Sequence, residues 1–267
     1  MKPLILVTND DGILSPGLKA LAEVALSLGD VLIAAPAEQQ TSMSRAKPRP
    51  PNGGIIKDVE VTLEGGDGPL MAYAVNASPA LCVAHAVLEL APRKPSLCLS
   101  GINYGENIGY SFTASGTIGA ALEAQAFGIP SLAVSLETPI HLNHTREYEP
   151  LDWRVTKYFA RLLAERILQR GLPDGVGLLN LNVPIGATEQ TEVRWTRQSA
   201  QSYYTWTSPD LTRVRTKPYK LRSDKAWNAA TLEADSDIRA LAIDRAVSVT
   251  PVVRNITASA KMSEWMA

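Results

Sequence analysis

The first 36 residues decide the class of fold. Leu4–Thr8 is a short apolar run of the kind found in a strand covered on both faces, and it stops at the turn Asn9-Asp10-Asp11-Gly12. Ser15-Pro16 then reads as an N-cap followed by proline at the first helical position, and Leu18, Leu21, Ala22, Ala25 and Leu28 keep helical spacing until Gly29. Val31–Ala35 is a second apolar run, closed by Pro36. Strand, helix and strand in this order require a crossover connection, which is right-handed and joins parallel neighbours. The chain therefore starts an α/β protein with a mostly parallel sheet flanked by helices.

The same rhythm continues, with interruptions. Residues 39 to 51 are polar and proline-rich, and Ile55 to Val75 alternates around Glu64-Gly65-Gly66-Asp67-Gly68, which predicts a peripheral antiparallel hairpin. Ala80, Val83, Ala84, Val87 and Leu88 keep helical spacing, and Leu97–Leu99 is a short buried strand running into Ser100-Gly101-Ile102-Asn103. A small-residue helix over Thr117–Phe127, a strand over Ile129–Leu136, an amphipathic helix over Trp153–Gln169 and a strand over Val176–Val183 follow. From about Pro184 the alternation fades. Val193–Trp195, Tyr203–Trp206 and Val247–Val253 read as strands between polar segments too poor in apolar residues to pack on themselves. This divides the chain into a core over 1–184 and an extension over 185–267, an extended β arm that returns to the core or lies on a neighbouring subunit.

Composition excludes several classes of function. With 267 residues, 45% hydrophobic and 20% charged, the chain buries a sizeable core without disulfides. Lys plus Arg number 26 against 27 for Asp plus Glu, so no bulk charge draws it to nucleic-acid polymers or to a membrane surface. Cys82 and Cys98 lie in apolar runs and read as buried free thiols in a reducing compartment, and only five apolar residues separate Lys2 from the acidic turn, too few for a secretion signal. These readings place the protein in the cytoplasm.

Three strand ends carry polar clusters, and in an open parallel sheet ligands bind beyond such ends. Asn9-Asp10-Asp11-Gly12 offers adjacent carboxylates, hard oxygen donors suited to magnesium, manganese or calcium, although the same turn also serves as an ordinary helix-capping turn. Gln39 to Arg45 offers amides, hydroxyls and a guanidinium that suit a phosphate or a metal shell. Ser100 to Gly109, followed by Thr113-Ala114-Ser115-Gly116-Thr117 at a helix start, offers backbone N–H groups and hydroxyls where an anion is favoured. The dinucleotide-binding, P-loop and hydrolase-elbow glycine patterns are absent, and His85, His141 and His144 make no zinc spacing with either cysteine. His85 reads as a core or boundary residue, and the other two as a loop feature.

Together these segments resemble the SurE (survival protein E) family of metal-dependent 5′(3′)-nucleotidases. The resemblance rests on T-N-D-D-G at 8–12, A-P at 35–36 with Q-Q-T-S-M-S-R at 39–45, S-G-I-N-Y-G-E-N at 100–107 and S-G-T-I-G-A-A at 115–121. It extends to N-L-N-V-P at 180–184, Asp235-Ser236-Asp237 and V-S-V-T-P at 247–251. It implies a Rossmann-like domain with a C-terminal arm that joins subunits in a homodimer or homotetramer. It also implies hydrolysis of nucleoside monophosphates with one divalent cation per subunit, magnesium or manganese. By motif position Asp10, Asp11, Thr41 and Asn103 are the metal ligands, with Ser42 as the alternative to Thr41, because the family's hydroxyl ligand lies in a loop of the form S-G-x-S. Asp10 and Asp11 are the catalytic residues, while Asn9, Ser44, Asn107, Ser115, Gly116 and Thr117 are expected to hold substrate. Three departures stand out: Thr41 for serine, Leu81 for aspartate in a T-P-x-D-C segment, and Ala246 for glycine before V-S-V-T-P. Thr41 and Leu81 leave room for a second reading, a nucleotide-binding or regulatory module of the same fold that does not turn over. Tyr203 to Trp206 suit either an interface or base stacking.

Overall fold

The structure, a computed structural model, describes residues 1–142, 148–210, 212, 216–219, 221–253, 255 and 257. A nine-stranded sheet runs in the order β3-β4-β2-β1-β5-β6-β7-β11-β8. Its strands are β1 (Leu4–Thr8), β2 (Asp30–Pro36), β3 (Ile56–Thr62), β4 (Pro69–Val75), β5 (Leu97–Tyr104), β6 (Ser131–Leu136), β7 (Val176–Val183), β8 (Val193–Trp195) and β11 (Val247–Val253). From β4 to β7 every neighbour is parallel, while β3 and β11 pair antiparallel with β4 and β7. The expected hairpin over Ile55–Val75 is present, and its second strand joins the main sheet on β2.

Helices α1 (Pro16–Leu28) and α4 (Arg154–Arg170) cover one face, and α2 (Pro79–His85) and α3 (Gly116–Ala126) the other. The alternation along β1 shows why both faces must be covered. Ile5 and Val7 pack with Leu18, Leu21 and Phe159, whereas Leu4 and Leu6 pack with Val83, Ala120 and Ala124. Ser15 precedes α1 as expected, but its buried hydroxyl makes no capping bond, and Pro16 alone sets the helix start. A π-helical turn over Ala86–Leu90 continues α2. Among the described residues no helix is long and apolar enough to cross a membrane.

The C-terminal extension lies on the main sheet and, beyond what its composition led one to expect, also packs partly on itself. It sends β8 and β11 into the main sheet, and Tyr203, Leu232, Ile238 and Leu241 form a small separate core around Ile108. A two-stranded hairpin, β9 (Tyr204–Thr207) with β10 (Arg222–Lys225), stands apart from the large sheet. Asp237 fastens this extension to the core. Its buried carboxylate accepts from the N–H groups of Gly109, Ser199 and Ile238.

Candidate functional site

Strand order reverses at β1, which has β2 on one side and β5 on the other, so a crevice opens beyond the carboxyl ends of β1 and β5. Asp10 and Asp11 follow β1 into this crevice, and Asn103 lies near the end of β5. Getting Asn103 there takes a local irregularity. The β5–β6 register shifts between Ser100 and Asn103, and Gly101 at the shift has φ 130°. A Cβ on Gly101 would lie 2.1 Å from the Val134 carbonyl oxygen, so only glycine fits.

Both aspartates are buried, and among the described residues neither has a cationic partner. Asp10 accepts from the Thr117 hydroxyl at 2.6 Å and from the backbone N–H groups of Gly116 and Thr117. Asp11 accepts from the Tyr104 N–H at 3.2 Å and more weakly from the Gln39 amide at 3.5 Å. Burial pushes both carboxyls above the usual carboxylate range, and for Asp11 the neighbouring Asp10 charge adds to it. Two adjacent buried carboxylates held only by neutral donors lack a positive charge.

Two further oxygens point to what supplies it. The Thr41 hydroxyl is buried with no hydrogen-bond partner, and it lines the same cavity as Asp10 and Asn103. Asn103 donates its amide nitrogen to the carbonyls of Gly105 and Tyr104, which leaves its side-chain oxygen for a cation. Ser42, the alternative ligand, is exposed with φ 63°, the left-handed conformation that suits the glycine of an S-G-x-S loop. In that register Thr41 would stand where the pattern has its serine. Among the described residues no three His, Cys, Asp or Glu side chains gather, so the groups that could hold a cation here are two carboxylates, a hydroxyl and an amide oxygen. Such hard oxygens fit magnesium or manganese.

Of the expected substrate residues, Asn107 and Ser115 line the cavity. Ser115 caps α3 by accepting from the Ile118 N–H. Asn9, by contrast, is fully buried, and its amide bonds both the N–H and the carbonyl of Gly12, so it shapes the turn. Ser44 also does a different job: its hydroxyl donates to the Thr113 carbonyl at 2.8 Å and ties the Thr41 loop to the segment before α3. Gly116 and Thr117 touch Asp10 and do not line the cavity. A Cβ on Gly116 would lie 2.6 Å from that of Asp10, which is why a glycine begins this helix.

Several positioning residues escape a reading by residue type. Asn180 and Asn182 of β7 both donate to the Asn107 carbonyl, and Asn182 accepts from the Asn107 N–H at 2.8 Å. Ser135 accepts from the Asn107 side chain. Tyr148 donates its hydroxyl to the Asp11 carbonyl at 2.7 Å, beside Tyr104. The available signal was polar asparagine in an otherwise apolar, buried strand. His85 is the boundary residue expected, on Glu89 at 2.8 Å, and His144 lies outside the described residues.

The family model described as Survival protein SurE matches residues 5–205. The chain belongs to the SurE family. It is 39% identical over 258 residues to 5′-nucleotidase SurE of Thermococcus gammatolerans, covering 95% of this chain and 91% of that one. With 5′-nucleotidase SurE of Methanocella arvoryzae it shares 38% identity over 264 residues, 95% and 93% of the two chains. The crystal structure of the SurE protein from Aquifex aeolicus superposes with a TM-score of 0.73 at 27% identity, over 96% of this chain and 95% of that one. Its SurE membership agrees with the Rossmann-like sheet and with the order of motifs along the chain.

Proposed function

We propose that this SurE chain is a 5′-nucleotidase, a divalent-cation-dependent phosphomonoesterase that hydrolyses nucleoside 5′-monophosphates to nucleoside and phosphate. The observation that carries this reading is the pair of buried carboxylates, without a counter-charge among the described residues, beside the partnerless Thr41 hydroxyl. The relatives named 5′-nucleotidase SurE support it. Asp10, Asp11, Thr41 and Asn103 would hold one magnesium or manganese ion, which when bound polarises the phosphoryl group and acidifies water.

The chain's own groups bind and orient. Ser115 opens α3 on the cavity wall, so the positive end of that helix favours an anionic phosphoryl group. The Asn107 amide spends one N–H on Ser135 and offers the other to a phosphoryl oxygen. Donors fixed in advance of the reaction stabilise charge that grows in the transition state without reorganising. The cavity of about 470 Å³ reaches from these groups to Tyr204 and Trp206 on the arm, room for a nucleoside as well as its phosphate. The proposal extends to 3′-monophosphates, which the resemblance of the motifs implies. It also carries assembly into a homodimer or homotetramer, supported by the exposed Trp206 of the arm and Trp195 of the edge strand β8.

The test is phosphate release from 5′-AMP, 5′-GMP, 3′-AMP and p-nitrophenyl phosphate with manganese. Turnover of the 5′-nucleotides above p-nitrophenyl phosphate is expected. Saturable AMP binding with no release would instead establish the non-catalytic binding module.

A further inference from the structure

The two ends of the cavity belong to different parts of the chain. Thr41 and Asn103 come from the core, while Tyr204, Trp206 and Ser223 come from the arm hairpin. Between them passes Gly105-Glu106-Asn107, the loop that joins the metal-ligand candidate Asn103 to the phosphate-binding candidate Asn107. Glu106 has a wholly buried side chain, and its cation is Lys225, the last residue of β10 on the arm.

Lys225 is held in place from several sides. It donates to the Thr138 carbonyl at 3.2 Å, and its Nζ stands 5.6 Å over the Tyr203 ring. It also comes within 4.0 Å of Glu137, a carboxylate that Arg245 engages at 2.6 Å. Two acids and two bases thus balance at the root of the arm. A buried carboxylate stripped of its counter-charge is strongly destabilised, so Glu106 favours the arm position in which Lys225 reaches it. Its neighbours move with it: Gly105 is tied to Asn103 through its carbonyl, and Asn107 to Asn182 through its N–H.

We propose that Lys225 is a positioning residue for turnover: its ion pair with Glu106 fixes the loop between Asn103 and Asn107, so that seating of the arm sets the geometry of the site. The proposal rests on the nucleotidase reading of this cavity. It also makes a claim about loop order that stands without activity.

The test compares Lys225→Met, Lys225→Arg, Glu106→Gln and the double variant Glu106→Gln/Lys225→Met in the full chain. Steady-state kinetics on AMP with manganese are paired with amide hydrogen exchange measured without metal. Lys225→Met is expected to lower kcat about tenfold with KM changed less than about threefold, Lys225→Arg to recover most of it, and the double variant to fall no further than the worse single. Exchange at Asn107 and Gly109 should quicken about tenfold in Lys225→Met and Glu106→Gln, with Leu6 and Leu99 of the central strands unchanged. Wild-type kcat with wild-type loop exchange overturns the proposal. So does Lys225→Arg as impaired as Lys225→Met, or an acceleration shared by Leu6 and Leu99, which is general destabilisation. If wild-type protein releases no phosphate, the nucleotidase reading fails, and exchange alone decides: a loosened loop over an unchanged core upholds the coupling, and an unchanged loop ends it. If Lys225→Met does not fold, Glu106→Gln and Lys225→Arg make the same comparison.

Discussion

Asp10 and Asp11 work against folding wherever they are both ionised, because burial and mutual repulsion disfavour the charged pair. A carboxyl whose folded-state pKa lies above its unfolded value takes up protons on folding. Its stability contribution is full below the unfolded value, about 4, and is lost as pH rises through the raised folded one. Metal-free protein should therefore melt at lower temperature at pH 8 than at pH 5, and Asp11→Asn should flatten that slope. At pH 8, without metal, the variant should be more stable by about 1–3 kcal/mol. Thermal melts in EDTA check this, and identical pH slopes for the two proteins would contradict it. Thr41 makes a second prediction. Thr41→Val removes a buried hydroxyl with no partner, so stability in EDTA should hold or rise, while manganese affinity by calorimetry should weaken about tenfold or more. Thr41→Ser should retain it. The burial of the Thr41 hydroxyl and the hydrogen bonds of Asn9 and Ser44 were not legible, because residue type cannot show whether an amide or hydroxyl is left unpaired or spent on backbone.

Elements whose pattern comes from burial were readable along the chain. β1, α1 and β2 announce themselves because Leu4–Val7 and Val31–Ala35 are unbroken apolar runs for two covered faces and the helix keeps its own period. β5 reads three residues long in sequence and spans eight, because Ser100, Gly101 and Asn103 interrupt the apolar run and hide its strand pairing. β10 was not legible at all: Arg-Ser-Asp-Lys is defined by pairing with β9 and not by an apolar face. Crossings between elements are likewise invisible in a pattern of single residues. Gly119 of α3 lies where a Cβ would come 1.9 Å from the Ser44 carbonyl oxygen, so the Thr41 loop rests directly on the helix backbone. Arg45 and Lys47 clamp that loop to Glu123, each at 2.6 Å. Gly119→Ala must lift the loop, and is expected to cost about 1–3 kcal/mol of stability and to weaken manganese binding, checked by melts and calorimetry on the same sample. Unchanged metal affinity in a folded Gly119→Ala protein would show that the loop does not reach the ion.

Across the whole molecule, the site is built where core and extension meet. The convergence of three polar clusters far apart in sequence was expected from their places at strand ends, whereas the switch point between β1 and β5 is visible only in the sheet order. The extension was less readable, since its packing depends on one small core around Ile108 and on buried charge, which leave little periodicity. Asp237 is the hinge of that arrangement. Asp237→Ala leaves three buried N–H groups without an acceptor and should cost about 2–4 kcal/mol, with early loss of arm protection in hydrogen exchange. Uniform protection in the variant would contradict it. Core, loop and arm all serve one claim, that the paired aspartates hold a cation for phosphate release. The most direct test is release of inorganic phosphate from AMP by wild type and Asp11→Asn, each with manganese, with magnesium and with EDTA. Release by wild type with metal only is expected, with a loss of about a hundredfold or more in the variant. Equal release in EDTA, or by Asp11→Asn, would contradict it.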